Sequence, residues 1–130
     1  MSANPTEVET LTRRLVSIPS YEDETAAGDA IESWLREETN AAVTRDGHGN
    51  VIACRGEGAA SLALVGHHDV VAPDESQVID DGGSDGENRD TPESEYVVEE
   101  RDGRLYGRGT ADMKGSLAAA MLAFRDADPA

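Results

Sequence analysis

Hydrophobic positions follow a helical period in three stretches and gather into short runs between them. Val8, Leu11 and Leu15 fall on one helical face. Asn4 as cap, Pro5 at the first helical position and Glu7 three beyond the cap mark its start. Pro19 ends it, and Ser17-Ile18-Pro19-Ser20-Tyr21 is a connecting segment. A second helix is predicted from about Asp23 to Glu38, with Ala27, Ile31, Trp34 and Leu35 on its buried side and Glu24, Glu32, Arg36 and Glu37 on a solvated one. Ala41 to Arg45 and Val51 to Arg55 read as strands around the turn Asp46-Gly47-His48-Gly49-Asn50, where Gly and Asn supply positive φ. In that reading His48 is an exposed turn residue and Cys54 a small core residue. Gly56-Glu57-Gly58 is a further turn, and the apolar run Leu62-Ala63-Leu64-Val65 reads as a buried strand.

The pattern then changes. Residues 72–95 hold nine carboxylates and little that is apolar, which predicts an exposed acidic loop. Its Asp80 to Gly86 run lacks the twelve-residue calcium-loop pattern with a terminal glutamate. Order returns with the strand-like Tyr96-Val97-Val98-Glu99, the hairpin signal Asp102-Gly103 and the returning Arg104-Leu105-Tyr106. A Gly-rich connection, 107–115, leads to a helix with Leu117, Met121 and Phe124 on its core face. Two helices, three strands, a hairpin and a last helix predict an α/β domain, a mixed sheet flanked by helices, with neither internal repeat nor second-domain linker.

Composition narrows the function classes. The 130 residues carry a formal net charge of −16, and Lys114 is the only lysine. Many carboxylates with almost no lysine resembles the proteins of salt-loving archaea, in which concentrated salt screens self-repulsion. Such charge argues against nucleic-acid binding, which needs a basic footprint. One cysteine excludes an intrachain disulfide and favours a reducing compartment. Neither a signal peptide nor a membrane-length apolar run is apparent, so a cytoplasmic chain with no membrane partner is expected.

The candidate chemistry lies in two places. Gly66 is followed by His67, His68 and Asp69 at the end of a predicted strand. Carboxyl ends of strands are where open α/β sheets bind ligands, so this is a candidate metal or catalytic site; a turn with a satisfied histidine is the plainer reading. Asp112 precedes the last helix, where an aspartate is most often only a cap. Lys114 is less expected, because a cation opposes the dipole in a first turn, and it would be tolerated beside carboxylates. The Gly-Arg-Gly run lacks phosphate-loop and dinucleotide spacing, and there is no G-x-S-x-G elbow.

Gly66-His67-His68-Asp69-Val70-Val71, followed by Gly107-Arg108-Gly109-Thr110-Ala111-Asp112-Met113-Lys114-Gly115, resembles the M20 family of zinc-dependent metallopeptidases and deacylases. Ser17-Ile18-Pro19-Ser20 also resembles that family's N-terminal segment. The resemblance implies a partial M20-type zinc-hydrolase catalytic domain. It implies His67 as a metal ligand and Asp112 as the carboxylate that bridges two zinc ions, followed by a cis peptide bond. Asp69 would be the catalytic-site carboxylate that hydrogen-bonds His67, fixing its tautomer. His68 falls at the family's variable position and is assigned no metal. Cobalt or manganese is admitted in place of zinc. The implied reaction is hydrolysis of an amide in an N-acyl amino acid or short peptide, as in succinyl-diaminopimelate desuccinylase or acetylornithine deacetylase, with a homodimer for the full-length member.

The resemblance also sets expectations about extent. The family's glutamate pair, further ligands and lid or dimerisation domain follow the helix that begins near Met113. Residues 1–130 therefore read as the N-terminal, truncated part of the catalytic domain, with the acidic loop at about 72–95 as an insertion. Alone, the chain is expected to be catalytically silent, to bind zinc weakly and to expose a sheet edge open to self-association. The alternative is a non-catalytic fragment or split subunit that pairs with a separate partner. A calcium-binding acidic module over Asp74 to Glu95 is a weaker third reading.

Overall fold

A computed structural model describes residues 6–59, 62–79 and 95–128. The fold is α/β: helices α1 (Glu7–Ser17), α2 (Thr25–Glu38) and α3 (Gly115–Asp126) with small antiparallel sheets. The strands are β1 (Ala42–Arg45), β2 (Val51–Cys54), β3 (Val78–Ile79), β4 (Glu95–Tyr96), β5 (Glu99–Arg101) and β6 (Arg104–Tyr106). They pair β1 with β2, β3 with β4 and β5 with β6, all antiparallel. No helix among the described residues is long and apolar enough to cross a membrane.

The first two helices start where side chains accept from free backbone N–H groups. The expected cap Asn4 lies outside the described residues; within them, Thr6 accepts from the Glu9 N–H at 3.2 Å. Thr6 and Glu9 stand at the S/T-x-x-E capping spacing. Asp23 accepts from the Thr25 N–H at 2.9 Å, so α2 begins two residues later than its pattern suggested. Leu11 and Leu15 of α1, Ile31, Trp34 and Leu35 of α2, Val43 of β1, and Ala118 and Met121 of α3 form the core. Leu117 and Phe124 pack against it from the side. Each large apolar side chain so buried contributes about 1.5–3 kcal/mol before conformational entropy is set against it.

The β1–β2 hairpin is shaped by Asp46. Its Oδ1 accepts from the His48 and Asn50 backbone N–H groups, both at 2.9 Å, and His48 is an exposed turn residue. Val43 pairs with Ala53 on the face toward the core, while Ile52 and Cys54 share the other face. That face is uncovered among the described residues, so Cys54 is exposed and not the core residue its apolar neighbours suggested. The same correction applies to Leu62-Ala63-Leu64-Val65. The run joins no strand among the described residues, and Leu62, Leu64 and Val65 are 80%, 53% and 89% exposed. A fully apolar strand is buried only when neighbours cover both faces, and none of the three ladders supplies them.

The acidic stretch is structured at its ends. Asp74 opens a single turn, Glu75–Gln77, with reciprocal hydrogen bonds between Asp74 and Gln77. Val78 then pairs with Tyr96 and Ile79 with Glu95. Residues 80–94, where most of the expected loop falls, lie outside the described residues.

Ion pairs tie the surface together and set an acid limit. Arg125 donates from Nη1 and Nη2 to the two Glu7 oxygens at 2.6 and 3.0 Å, and from Nε to Asp126 at 2.7 Å, joining α1 to α3. These hydrogen bonds hold Glu7 below its ordinary 4.5 and Asp126 below its ordinary 3.8. Bonds from Arg36 and Arg45 likewise lower Glu32, and bonds from Asn50 lower Asp46. A depressed carboxylate stabilises the fold above its unfolded pKa, and the gain is lost as pH falls through the folded one. In salt that screens the net charge, the thermal midpoint should therefore hold from neutrality to about pH 5 and fall below about pH 4.5. A midpoint that rises on acidification would contradict this assignment.

Candidate metal centre

The extended run 62–66 delivers His67 to the start of α3. A side chain at Gly66 would meet Met113 Cε at 3.0 Å and Leu117 Cδ1 at 3.3 Å, so the bare glycine permits the approach. Val70 is buried, and its N–H donates to the Ser20 carbonyl at 3.2 Å. The turn carrying His67 and Asp69 is thereby anchored to the segment that follows α1.

The second half is the connection 107–115. At Gly109 φ is +90°, and a Cβ there would lie 2.5 Å from Val70 Cγ1. The Thr110 hydroxyl donates to the Gly107 carbonyl at 3.0 Å, and the Lys114 N–H to the Gly109 carbonyl at 2.8 Å. Asp112 (φ −125°, ψ 83°) and Met113 (φ −139°, ψ 35°) leave the helical region before α3 begins. The Asp112–Met113 peptide bond is cis. No side chain caps α3, so Asp112 is not the helix cap that its position suggested. Its carboxylate is 80% exposed and turned to His67 instead.

His67 stands between two carboxylates. Its Nδ1 lies 3.2 Å from the Asp69 carboxylate and 3.2 Å from the Asp69 carbonyl. Its Nε2 lies 3.1 Å from Asp112 Oδ1. When Nδ1–H donates to Asp69, Nε2 presents a lone pair to Asp112, which also only accepts. Two acceptors facing each other form a pair of donor atoms that a metal ion can bridge. Zinc bonds to imidazole nitrogen and carboxylate oxygen are about 2.0–2.2 Å, which places two tetrahedral ligands about 3.3 Å apart. The observed pair is close to that separation. The donor set fits two ligands of a zinc site, though no group of three or more candidate ligands gathers among the described residues.

His68 behaves differently from its neighbour. It is half-buried, its Nε2 has no hydrogen-bond partner among the described residues, and burial pushes its pKa down. The charges of Glu24 and Asp69 oppose that shift, while those of Arg45 and Lys114 add to it. Three residues near the site were not singled out as part of it by the sequence pattern. Ser20 is fully buried, Tyr96 is 1% exposed, and Arg108 donates to Gln77 Oε1 at 3.1 Å. A buried serine just after Pro19, and a tyrosine at the end of an acidic stretch, were the available signals.

Comparison with known proteins identifies the family. The model of peptidase family M20/M25/M40 matches residues 63–130, which include both halves of the pair. A succinyl-diaminopimelate desuccinylase of Xylella fastidiosa strain M12 is 36% identical over 120 residues, covering 90% of this chain and 29% of the relative. The strain 9a5c protein of the same name is 37% identical over 120 residues, with the same shares covered. One from Xanthomonas campestris pv. campestris strain B100 is 43% identical over 74 residues, 57% of this chain and 16% of the relative. The chain thus spans less than a third of the length of these curated relatives.

Proposed function

Because the chain belongs to peptidase family M20/M25/M40, we propose that it is the N-terminal part of the metal-binding domain of an amide hydrolase. Its substrates would be N-acyl amino acids, in the manner of succinyl-diaminopimelate desuccinylase or acetylornithine deacetylase. The observation that carries this reading is the approach of His67 Nε2 to Asp112 Oδ1 across 45 residues of sequence. The desuccinylase is favoured by the names of the relatives.

In this proposal His67 and Asp112 would hold zinc, with Asp112 also available as a ligand to a second ion. Cobalt or manganese can stand in. Asp69 positions the His67 ring and keeps Nε2 free of its proton. The chemistry that zinc would supply there is Lewis-acid polarisation of the scissile carbonyl and activation of water near neutral pH. The remaining ligands and the general base come from residues other than those described. The exposed Leu62, Leu64 and Val65 support a need for further strands, in the same polypeptide or in a separate partner subunit. The net charge of −16 with a single lysine supports a protein that works in concentrated salt, in the cytoplasm of a salt-loving organism.

A fusion of residues 1–130 to the remainder of the Xylella fastidiosa desuccinylase tests the proposal. It should release the amine from N-succinyl diaminopimelate only with added metal. Within it, His67→Ala should lower kcat/KM by about 100-fold or more. The 130-residue polypeptide alone should turn over neither N-succinyl nor N-acetyl substrates and should bind zinc more weakly than micromolar. A folded fusion indifferent to His67→Ala would overturn the reading.

A further inference from the structure

The only lysine in the chain is also one of its most buried residues. Lys114 is 1% exposed and stands two positions after Asp112, at the start of α3. An ammonium there opposes the helix dipole and loses its hydration, so its burial is costly unless oriented groups receive it. The Ile18 carbonyl, just past α1, accepts from Nζ at 2.8 Å. The ring of Tyr96, itself 1% exposed, has its centroid 5.9 Å from Nζ. The stem passes Gly109, whose missing Cβ would lie 3.5 Å from Lys114 Cδ. Two residues beyond Ile18, the Ser20 carbonyl accepts from the Val70 N–H. The segment 18–20 therefore grips both halves of the site. One hydrogen bond holds the turn of His67 and Asp69 through Val70, and the other holds the Asp112 connection through Lys114.

We propose that Lys114 is a positioning residue that sets the Asp112 carboxylate opposite His67 by locking the start of α3 to the Ile18 carbonyl. The proposal rests on reading His67 and Asp112 as metal ligands. A neutral side chain of similar length would fill the same volume, so filling space does not account for the buried charge.

The test follows the His67 ring proton by NMR while zinc is added to the 130-residue chain, and measures stability by urea unfolding. Lys114→Met should remain folded and weaken zinc binding at His67 by about tenfold or more, as loss of an orienting group does. Met121→Ala, a core change on the same helix, should lower the urea midpoint and leave zinc binding within about twofold, because distant effects separate. Zinc binding by folded Lys114→Met within about twofold of the parent overturns the proposal. Failure of Lys114→Met to fold also overturns it, since the lysine would then serve the fold at large. A parent response unaltered by Asp112→Asn overturns the metal reading itself, and the proposal with it.

Discussion

Gly109→Ala should cost about 3 kcal/mol or more, a large fraction of the stability of a domain this size. Two independent effects add. At φ +90° an L side chain is strained, by about 1–3 kcal/mol. The new methyl would also stand 2.5 Å from Val70 Cγ1, which is buried and cannot withdraw without disturbing the turn of His67. Overpacking of that kind costs about 1–3 kcal/mol. Gly47 supplies the contrast. A Cβ there meets nothing within 4 Å, and its φ lies outside the left-handed range. Gly47→Ala should therefore change stability by only about 0.5 kcal/mol in either direction. Urea midpoints for the two variants decide the matter. Equal effects would show that the Gly109 turn does not wedge the two halves of the site together.

The glycines mark how the site is assembled. Gly66 and Gly109 leave space on opposite sides of the same junction, against Met113 and Val70 respectively. Neither close approach is visible in a linear pattern. What was legible was local. The helical period gave all three helices, and Asp46 to Asn50 and Asp102-Gly103 gave two turns, with Asp102 at φ 53° and Gly103 at φ 77°. These signals act over a few residues, so a sequence carries them directly.

Readings that depended on neighbours far along the chain fared less well. Leu62 to Val65 has strand chemistry, but its burial depends on strands that are not among the described residues. Val51 to Cys54 is apolar throughout, so the run does not show which face is covered, and Cys54 stands on the open one. The β3–β4 ladder is two residues long and opens inside an acidic stretch, too brief for periodicity to mark. Lys114 was expected beside carboxylates; a backbone carbonyl and an aromatic ring also receive it. The pairing of His67 with Asp112 was available only through family resemblance, because spacing alone cannot bring residues 45 positions apart to 3.1 Å.

The second large effect concerns that pair. Of the three groups around His67, Asp112 alone faces Nε2, so its loss should abolish the cation site while leaving the imidazole and Asp69 in place. Asp112→Asn keeps the shape and removes the charge. It should weaken zinc binding at His67 by about 100-fold, since zinc requires anionic or neutral-imidazole donors and no third candidate ligand joins these two among the described residues. His68→Ala should leave binding within about twofold, because the Asp112 carboxylate faces the His67 ring and His68 makes no hydrogen bond to it among the described residues.

The most direct measurement of the central claim is a zinc titration of the parent chain and Asp112→Asn in about 1 M potassium chloride. There the Debye length is about 3 Å, and the acidic surface draws few cations from a distance. Resonances of His67, His68 and the acidic residues are followed together by NMR. The account predicts a saturable shift at His67, little at His68, and loss of the His67 response in Asp112→Asn. A His67 response of the same affinity in both chains, or zinc held only by the carboxylates of residues 72–95, would contradict it.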